Sequence, residues 1–406
     1  MVSTPLGPAR AQHARRVVRL VHRGEATTRQ DIADATGMSP SLVSRVTADL
    51  VRRGVLRTRS GRGSEGPGRP TERLDLHPDA GRTVGVQVAR DRLAVLTCDV
   101  AGRPLDTWEE PNDAPGVTID AVHRLAERIA AAARYDASAP PLVGVGAALH
   151  DVVSADGGWH VAGHEADAVP VRTVLAEHFD VPIVVDDVSR AFASAEHRFG
   201  AGRDAPDLLY LFLGRDGVGS GIFAGDAALR TATGICGEIG HVPVVNDGAP
   251  CSCGRRGCLE TVATHRALLA RARSLRDDDP TGEWQPGDGL HALLAATAEG
   301  DPLGRRLVEE LADHLCAALD GAIAVTGATT VVLGGDVRAS GGTLPGALAR
   351  RLRGRLLRSL ADRLQVRWAE LPPTAGAHGM ALAALDAAVD AGALIAAPRR
   401  KKEVAM

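Results

Sequence analysis

The stretch 234–260, GICGEIGHVPVVNDGAPCSCGRRGCLE, constrains this chain more than any other. It holds His241 and three closely spaced cysteines, Cys251, Cys253 and Cys258, in the spacing H-x9-C-x-C-x4-C. Zinc takes four tetrahedral ligands from thiolate and imidazole, and a site with no open position is structural. Three thiolates and one imidazole fill that shell, so the spacing predicts one closed Cys3His zinc site per chain. Six glycines within the same 27 residues let a short loop turn sharply enough for three sulfurs to converge. The competing reading is a disulfide or unrelated thiols. Cys251 and Cys253 are too close for easy bridging, and residues 1–10, with Pro5, Gly7 and Pro8 and no apolar core, do not read as a secretory leader. Glu238 lies three residues before His241 and Glu260 two after Cys258. Carboxylates anchored by a metal knot suit the hydroxyls of a polar ligand; ordinary surface acids are the alternative.

The 406 residues are enough for two or three domains. With 45% hydrophobic and 24% charged residues the chain is of the soluble globular class, and with aromatics at 3% its core rests on Val, Leu, Ala and Ile. Cys98, Cys236 and Cys316 stand in apolar settings and read as single buried thiols, which fits a reducing cytoplasm. No run approaches the roughly 20 apolar residues of a membrane helix. The net charge of −3 is unevenly spread: residues 1–73 carry 14 Arg against six acids, so the remainder is acidic by eleven. A small basic domain on a larger acidic body is the footprint of a tethered nucleic-acid binder. Lysine occurs only at Lys401 and Lys402, which reads as a coding bias, so single arginines are not taken as chosen for recognition.

Residues 12–22 read as a helix, with Ala14, Val17, Val18 and Val21 on one face. Thr27 or Thr28 caps a second helix, RQDIADAT, with Ile32 and Ala35 inward, and Gly37 ends it. Ser39 caps a third, with Pro40 at its first position. There Leu42, Val43, Val46 and Leu50 face inward, and Ser41, Ser44, Arg45 and Ala48 fall opposite. Helices joined across so short a turn are a helix-turn-helix. Exposed hydroxyls and one Arg suit a major groove, where Ser reaches phosphates or bases and Arg reads guanine. Val55-Leu56 and the strand at 74–76 flank a Gly/Arg-rich loop that reads as a wing, with Arg57, Arg59, Arg62 and Arg69 placed to track phosphate. A solvated linker is the alternative.

Beyond residue 83 strands and helices alternate. Strands are expected from 83, ending near Asp99, then at 142–149, 181–187 and 330–336, with a Gly-rich hairpin at 207–223. Helices are expected at 119–135, 264–276 and 303–325, and a surface loop at 277–289. The 181–187 strand ends in Asp186 and Asp187 before the helix SRAFASAEHRF, a position that serves a ligand cleft or a helix N-cap.

GEIGH at 237–241 and CSCGRRGCLE at 251–260 resemble the zinc motif of the ROK family of repressors and sugar kinases. The resemblance implies that His241, Cys251, Cys253 and Cys258 hold zinc and that Glu238, His241 and Glu260 contact a sugar. The front of the chain, including GRP at 68–70, resembles the winged helix of ROK repressors. The implied α/β fold is an N-terminal winged helix-turn-helix (1–76) followed by a two-lobed actin-like, ribonuclease H-like ATPase/sugar-kinase body. Its small lobe would span 77–188, with a closing helix at 376–395 returning to it. The large lobe with the zinc site would span 189–375, and a disordered basic tail 396–406. No internal sequence repeat accompanies the two related halves that such a body implies.

Departures from the family pattern concentrate where phosphate would bind. Gln87, Ala89, Arg90 and Asp91 stand where the kinases carry D-x-G-G-T. Val218 replaces the Thr of G-T-G-x-G-x-G, although Gly217, Gly219 and Gly221 remain. A Pro-Gly turn is replaced by Leu149-His150. Ala162, Gly163 and His164 stand where the family places a sugar-binding Asn. Asp187 matches the kinase base, and Asp186 replaces an Asn. The resemblance therefore implies a transcriptional regulator, most simply a repressor, without ATP or Mg2+ and without a catalytic residue in use. Its expected partners are an operator in double-stranded DNA, a sugar or sugar phosphate, and further copies of the chain as a homodimer or dimer of dimers. A sugar kinase with an accessory DNA-binding domain is the alternative, and a regulator whose sugar site has decayed is a third.

Overall fold

A computed structural model describes residues 7–60, 72–89, 92–112, 118–134, 139–161, 167–278 and 284–396. Arg62, Arg69, Arg90, Asp91, Ala162, Gly163, His164 and the tail beyond residue 396 lie outside the described residues.

Three helices open the chain: α1 (Pro8–His22), α2 (Arg29–Thr36) and α3 (Pro40–Arg52). The Thr28 hydroxyl accepts from the Asp31 N–H at 3.1 Å and the Asp31 carboxylate accepts from the Thr28 N–H at 2.9 Å, which closes a capping box at the start of α2. Gly37, at φ 70°, takes the left-handed conformation that ends α2. Ser39 caps α3 through the Leu42 N–H. The inward line of α2 runs through Ile32 and Ala33; Ala35, expected inward, is exposed, and Leu42 is only half-buried. Strands β1 (Leu56–Ser60) and β2 (Glu72–Leu76) pair antiparallel from Leu56↔Leu76 to Ser60↔Glu72, the base of the expected wing.

Two five-stranded sheets follow. The first comprises β3 (Arg82–Val88), β4 (Arg92–Asp99), β5 (Pro104–Pro111), β6 (Leu142–Leu149) and β10 (Ile183–Asp187), with helix α4 (Ile119–Arg134) in the connection between β5 and β6. Between β6 and β10 stand the short strands β7 (Val152–Val153), β8 (Gly158–His160) and β9 (Val169–Pro170) and helix α5 (Val171–His178). Helix α6 (Val188–Phe199) leaves β10 directly. The second sheet comprises β11 (Leu208–Leu213), β12 (Val218–Ala224), β13 (Ala227–Ala228), β14 (Thr330–Gly335) and β15 (Gln365–Trp368). The order is β5-β4-β3-β6-β10 in one and β13-β12-β11-β14-β15 in the other. Numbered within each sheet, both run third, second, first, fourth, fifth. The duplication expected of an actin-like body is thus present in topology without a repeat in sequence.

Helices α7 (Glu260–Ala263), α8 (His265–Asp278), α9 (Gly289–Glu299), α10 (Pro302–Thr326), α11 (Thr343–Arg353) and α12 (Arg358–Ala361) belong to the second half, and α13 (Ala375–Ala391) and α14 (Ala393–Ala396) close the described chain. Their packing forms two compact units: residues 1–148, 170–185 and 380–406, and residues 149–169 and 186–379. In the first unit Ala14, Val17, Val18 and Val21 of α1 share one buried cluster with Leu385, Ala388 and Val389 of α13 and Leu394 of α14. His22 meets Asp386 at 2.5 Å and Arg19 meets Asp390 at 2.8 Å. In the second unit Leu, Val and Ala side chains of β11, β14 and helices α8 to α11 form the main core.

Glycines set the closest approaches. A Cβ on Gly379 of α13 would lie 2.0 Å from the Ala191 carbonyl oxygen of α6, and one on Gly346 of α11 would meet only the Arg350 guanidinium at 3.9 Å. Gly379→Ala is expected to cost about 1–3 kcal/mol in urea unfolding through overpacking. Gly346→Ala, in an open helical position, is expected to stabilise by about 1 kcal/mol or less.

Candidate functional sites

The first site is the exposed face of α3. Ser39, Ser41, Ser44 and Arg45 are all exposed. Arg45 has no side-chain partner among the described residues, so its guanidinium is available to an incoming acceptor. Arg57 on β1 is half-buried, with an Nε that meets no acceptor. Arg59 is held by Asp75 at 3.0 Å and Arg29 by Glu72 at 2.8 Å, so those charges are partly committed within the protein.

The second site lies in the second unit, and the segment 234–260 builds it as a loop. Only a 3-10 turn (Ile239–His241) is regular in it before α7. Gly257, at φ 69°, is forced: a Cβ there would lie 1.8 Å from the Val245 carbonyl oxygen. The metal-ligating atoms of His241, Cys251, Cys253 and Cys258 all lie within 4.8 Å of one another. His241 Nδ1 is 3.4 Å from Cys251 Sγ, and Cys253 Sγ is 3.7 Å from Cys258 Sγ. Burial, with a smaller effect of Arg255, lowers the His241 pKa, which favours the neutral form of the imidazole. Burial pushes the Cys258 thiol up. Three soft sulfurs and a neutral imidazole fit a zinc ion.

The acids predicted beside this knot are neither fully exposed nor scattered. Glu260 begins α7; its Oε2 accepts from the Val218 N–H at 3.2 Å and its Oε1 is 4.0 Å from Cys251 Sγ. Asp187 is the N-cap of α6, its Oδ1 accepting from the Ser189 and Arg190 N–H groups at 2.8 and 3.2 Å. Its other oxygen has no hydrogen-bond partner among the described residues. Burial, opposed by Arg190 and aided by Asp186, raises the Asp187 pKa to about 6. Burial, with the charges of Asp187 and Glu260, raises Glu238 to about 7. The charges of Asp187 and Glu260 both act on Glu238.

Residues passed over in the sequence lie beside these acids. Arg190, almost fully buried, donates from Nε to Asp186 Oδ1 at 2.5 Å and from its terminal nitrogens to the carbonyls of Cys236 at 3.1 Å and Val153 at 3.4 Å. Arg230 pairs with the other oxygen of Asp186. Asp186 and Arg190 stand four apart across the turn from β10 into α6, a short separation that a sequence can signal; Arg230 has no such local signal. Cys236, expected to be a buried thiol in an apolar setting, is half-buried among Arg190, Arg230, Asp186 and Glu238. The glycines of β12 have packing roles: a Cβ on Gly219 would lie 2.1 Å from Ser189 Oγ, and one on Gly221 2.3 Å from Ala193 Cβ, both on α6.

The profile of the ROK family matches residues 83–387. The chain belongs to the ROK family. The profile of the IclR helix-turn-helix domain matches residues 12–60. The chain is 27% identical over 364 residues, 87% of its length and 88% of the relative's, to the DNA-binding transcriptional dual regulator NagC of Escherichia coli. It is 29% identical over 309 residues, 73% of its length and 92% of the relative's, to a glucokinase of Halalkalibacterium halodurans. Among solved structures, a ROK family transcriptional regulator described as a homologue of the E. coli MLC protein covers 96% of this chain and 100% of its own, at TM-score 0.78 and 21% identity, a likeness of fold. A ROK glucokinase from Streptomyces griseus, solved with glucose and AMPPNP, covers 75% of this ROK chain and 99% of its own, at TM-score 0.61 and 27% identity. The winged helix-turn-helix and actin-like architecture read from the sequence is thus the fold of the chain.

The pKa of Asp187 gives a signed expectation. Its folded value lies above the unfolded 3.8, so the native chain holds this proton more tightly. The stability it contributes is greatest below pH about 4 and falls as pH rises through about 6. Asp187→Asn keeps a capping side chain but cannot ionise. Its melting temperature relative to wild type is expected to rise between pH about 4 and 7 in paired thermal scans; a constant difference would refute the assignment.

Proposed function

We propose that this chain is a DNA-binding transcriptional regulator, most simply a repressor, whose ROK body binds a sugar or sugar derivative and does not transfer phosphate. The observation that carries the reading is the exposed Arg45, without a side-chain partner among the described residues, with Ser41 and Ser44 on α3 at the front of a ROK body. NagC, a regulator, aligns along most of both chains. Ser39, Ser41, Ser44 and Arg45 enter the major groove, and Arg57, with Arg62 and Arg69 from the segment outside the described residues, contacts phosphate. A homodimer, or a dimer of dimers, presents two such helices to a palindromic operator.

In the body, Asp187, Glu238, His241 and Glu260 accept from or donate to the ligand's hydroxyls. Zinc, held by His241, Cys251, Cys253 and Cys258, supplies rigidity. The ligand alters DNA binding by favouring one arrangement of the protein over another, which requires unequal affinity for the two.

Against phosphoryl transfer stand side chains. The Val218 N–H, in the hairpin where a kinase loop would meet phosphate, is taken by the Glu260 carboxylate, and a negative group there opposes a phosphate oxygen. Gln87 is a buried amide where the family's first loop carries an acid. The kinase alternative draws on the glucokinase relative and predicts sugar-dependent ADP release, whereas a coupled assay over a panel of hexoses is expected to give none.

Two further measurements test the regulator. Arg45→Ala is expected to weaken binding to the cognate operator by about 1–3 kcal/mol and to relax specificity at one base pair; unchanged gel shifts would move recognition off α3. Elemental analysis of the purified chain is expected to give one zinc per chain, with chelation lowering the melting temperature. A metal-free protein that melts identically would remove the closed site.

A further inference from the structure

We infer that Arg190 is the positioning residue of the proposed ligand site, and that Asp186 holds Arg190 and Arg230 instead of contacting the ligand. The inference rests on the sugar-binding reading of that site. Asp186 stands where related sugar kinases carry an Asn, so by sequence position alone it would be a ligand contact. The geometry leaves it little capacity for one. Oδ1 already accepts from Arg190 Nε at 2.5 Å and from the Asp187 N–H at 2.8 Å. Oδ2 is taken by Arg230. The side chains of Asp186 and Arg190 are 7% and 6% exposed, against 46% for Arg230.

The contacts of Arg190 reach three separate pieces of chain. Besides Asp186 at the end of β10, its guanidinium donates to the Val153 carbonyl of β7 and to the Cys236 carbonyl at the entry to the zinc segment. Its NH1 is also 4.0 Å from Glu238 Oε1. The same residue gives its backbone N–H to Asp187. The fork therefore ties Asp186, the residue before Asp187, to Cys236 and Glu238 of the segment 234–260. Five N–H donors in a rigid plane suit this task, and an ammonium on a flexible stem does not. A buried ion pair of this kind is a weak source of stability, because desolvation offsets most of the attraction. Breaking it from one side is costly, since the remaining charge is left buried. That asymmetry makes the role testable.

The experiment compares Arg190→Met, Asp186→Asn, the double variant and Arg190→Lys. Binding is read by calorimetry with D-glucose, D-xylose, N-acetylglucosamine and their phosphate esters, beside zinc content and thermal unfolding. Each single variant, Arg190→Lys included, is expected to keep its zinc and to lose at least about tenfold in affinity for the sugar that wild type binds. The double variant, with neither charge left, is expected to recover most of the thermal stability lost by the single ones but not the affinity, because the fork is still absent. Asp186→Asn with undiminished affinity would mean that position 186 meets the ligand as an amide does, and would overturn the inference while leaving sugar binding intact. Single variants that bind normally, or a double variant whose stability loss is the sum of the two, would overturn it as well. Wild type binding none of these sugars would remove the sugar-binding reading and this role together.

Discussion

The convergence of three thiols and an imidazole within 4.8 Å is the constraint on which the segment 234–260 and its neighbours depend. Thiolates so close repel one another unless a cation lies among them, and burial adds to that cost. The donor set is one that could hold a metal ion, and the backbone around it is closely constrained. Gly257 is pressed against the Val245 carbonyl, and the Val244 and Val245 N–H groups are spent on the Gly257 carbonyl. What the knot fixes beyond itself is Glu260, two residues past the last cysteine, with one oxygen toward Cys251 and the other on the Val218 N–H. The fold of the cluster thereby sets the place of a carboxylate that lies outside it.

Packing against α6 accounts for the glycines of the β12 hairpin. Gly219 and Gly221 carry no side chain because α6 passes too close to β12 for one. Their absence of Cβ is a requirement of helix-on-sheet packing, and that requirement survives whether or not a nucleotide binds opposite. A glycine pattern shared with kinases is thus weak evidence for kinase chemistry. The side chains between the glycines are the better witnesses.

Local pattern made much of this legible. The capping box at Thr28, the left-handed Gly37 and the Ser39 cap stand where spacing placed them, because each depends on residues three or four apart. The clustering of His241, Cys251, Cys253 and Cys258 was legible because their spacing is short. The neighbourhood of Cys236 was misread: its sequence neighbours are apolar, but the groups around it, Arg190, Arg230 and Asp186, come from other segments. Arg230 reaches Asp186 across 44 positions of sequence, and no periodicity reports such a pairing. The third-second-first-fourth-fifth strand order shared by both sheets was invisible for a related reason. Topology is kept by burial and pairing, which many different apolar sequences satisfy.

The junction between the helix-turn-helix and the rest of its unit limits how regulation can work. The buried cluster of α1, α13 and α14 includes Val17, Val18, Val21, Leu385, Val389 and Leu394. Re-exposing six such side chains would cost about 9 kcal/mol even at the low end of about 1.5 kcal/mol each. A sugar bound with micromolar affinity releases about 8 kcal/mol in all, and only the difference in its affinity for two states can shift them. Detaching the DNA-binding helices from the C-terminal ones is therefore beyond the reach of such a ligand. The charge pairs His22–Asp386 and Arg19–Asp390 act in the same direction. The buried cluster therefore joins the helix-turn-helix to α13 and α14 too firmly for a ligand of that affinity to separate them.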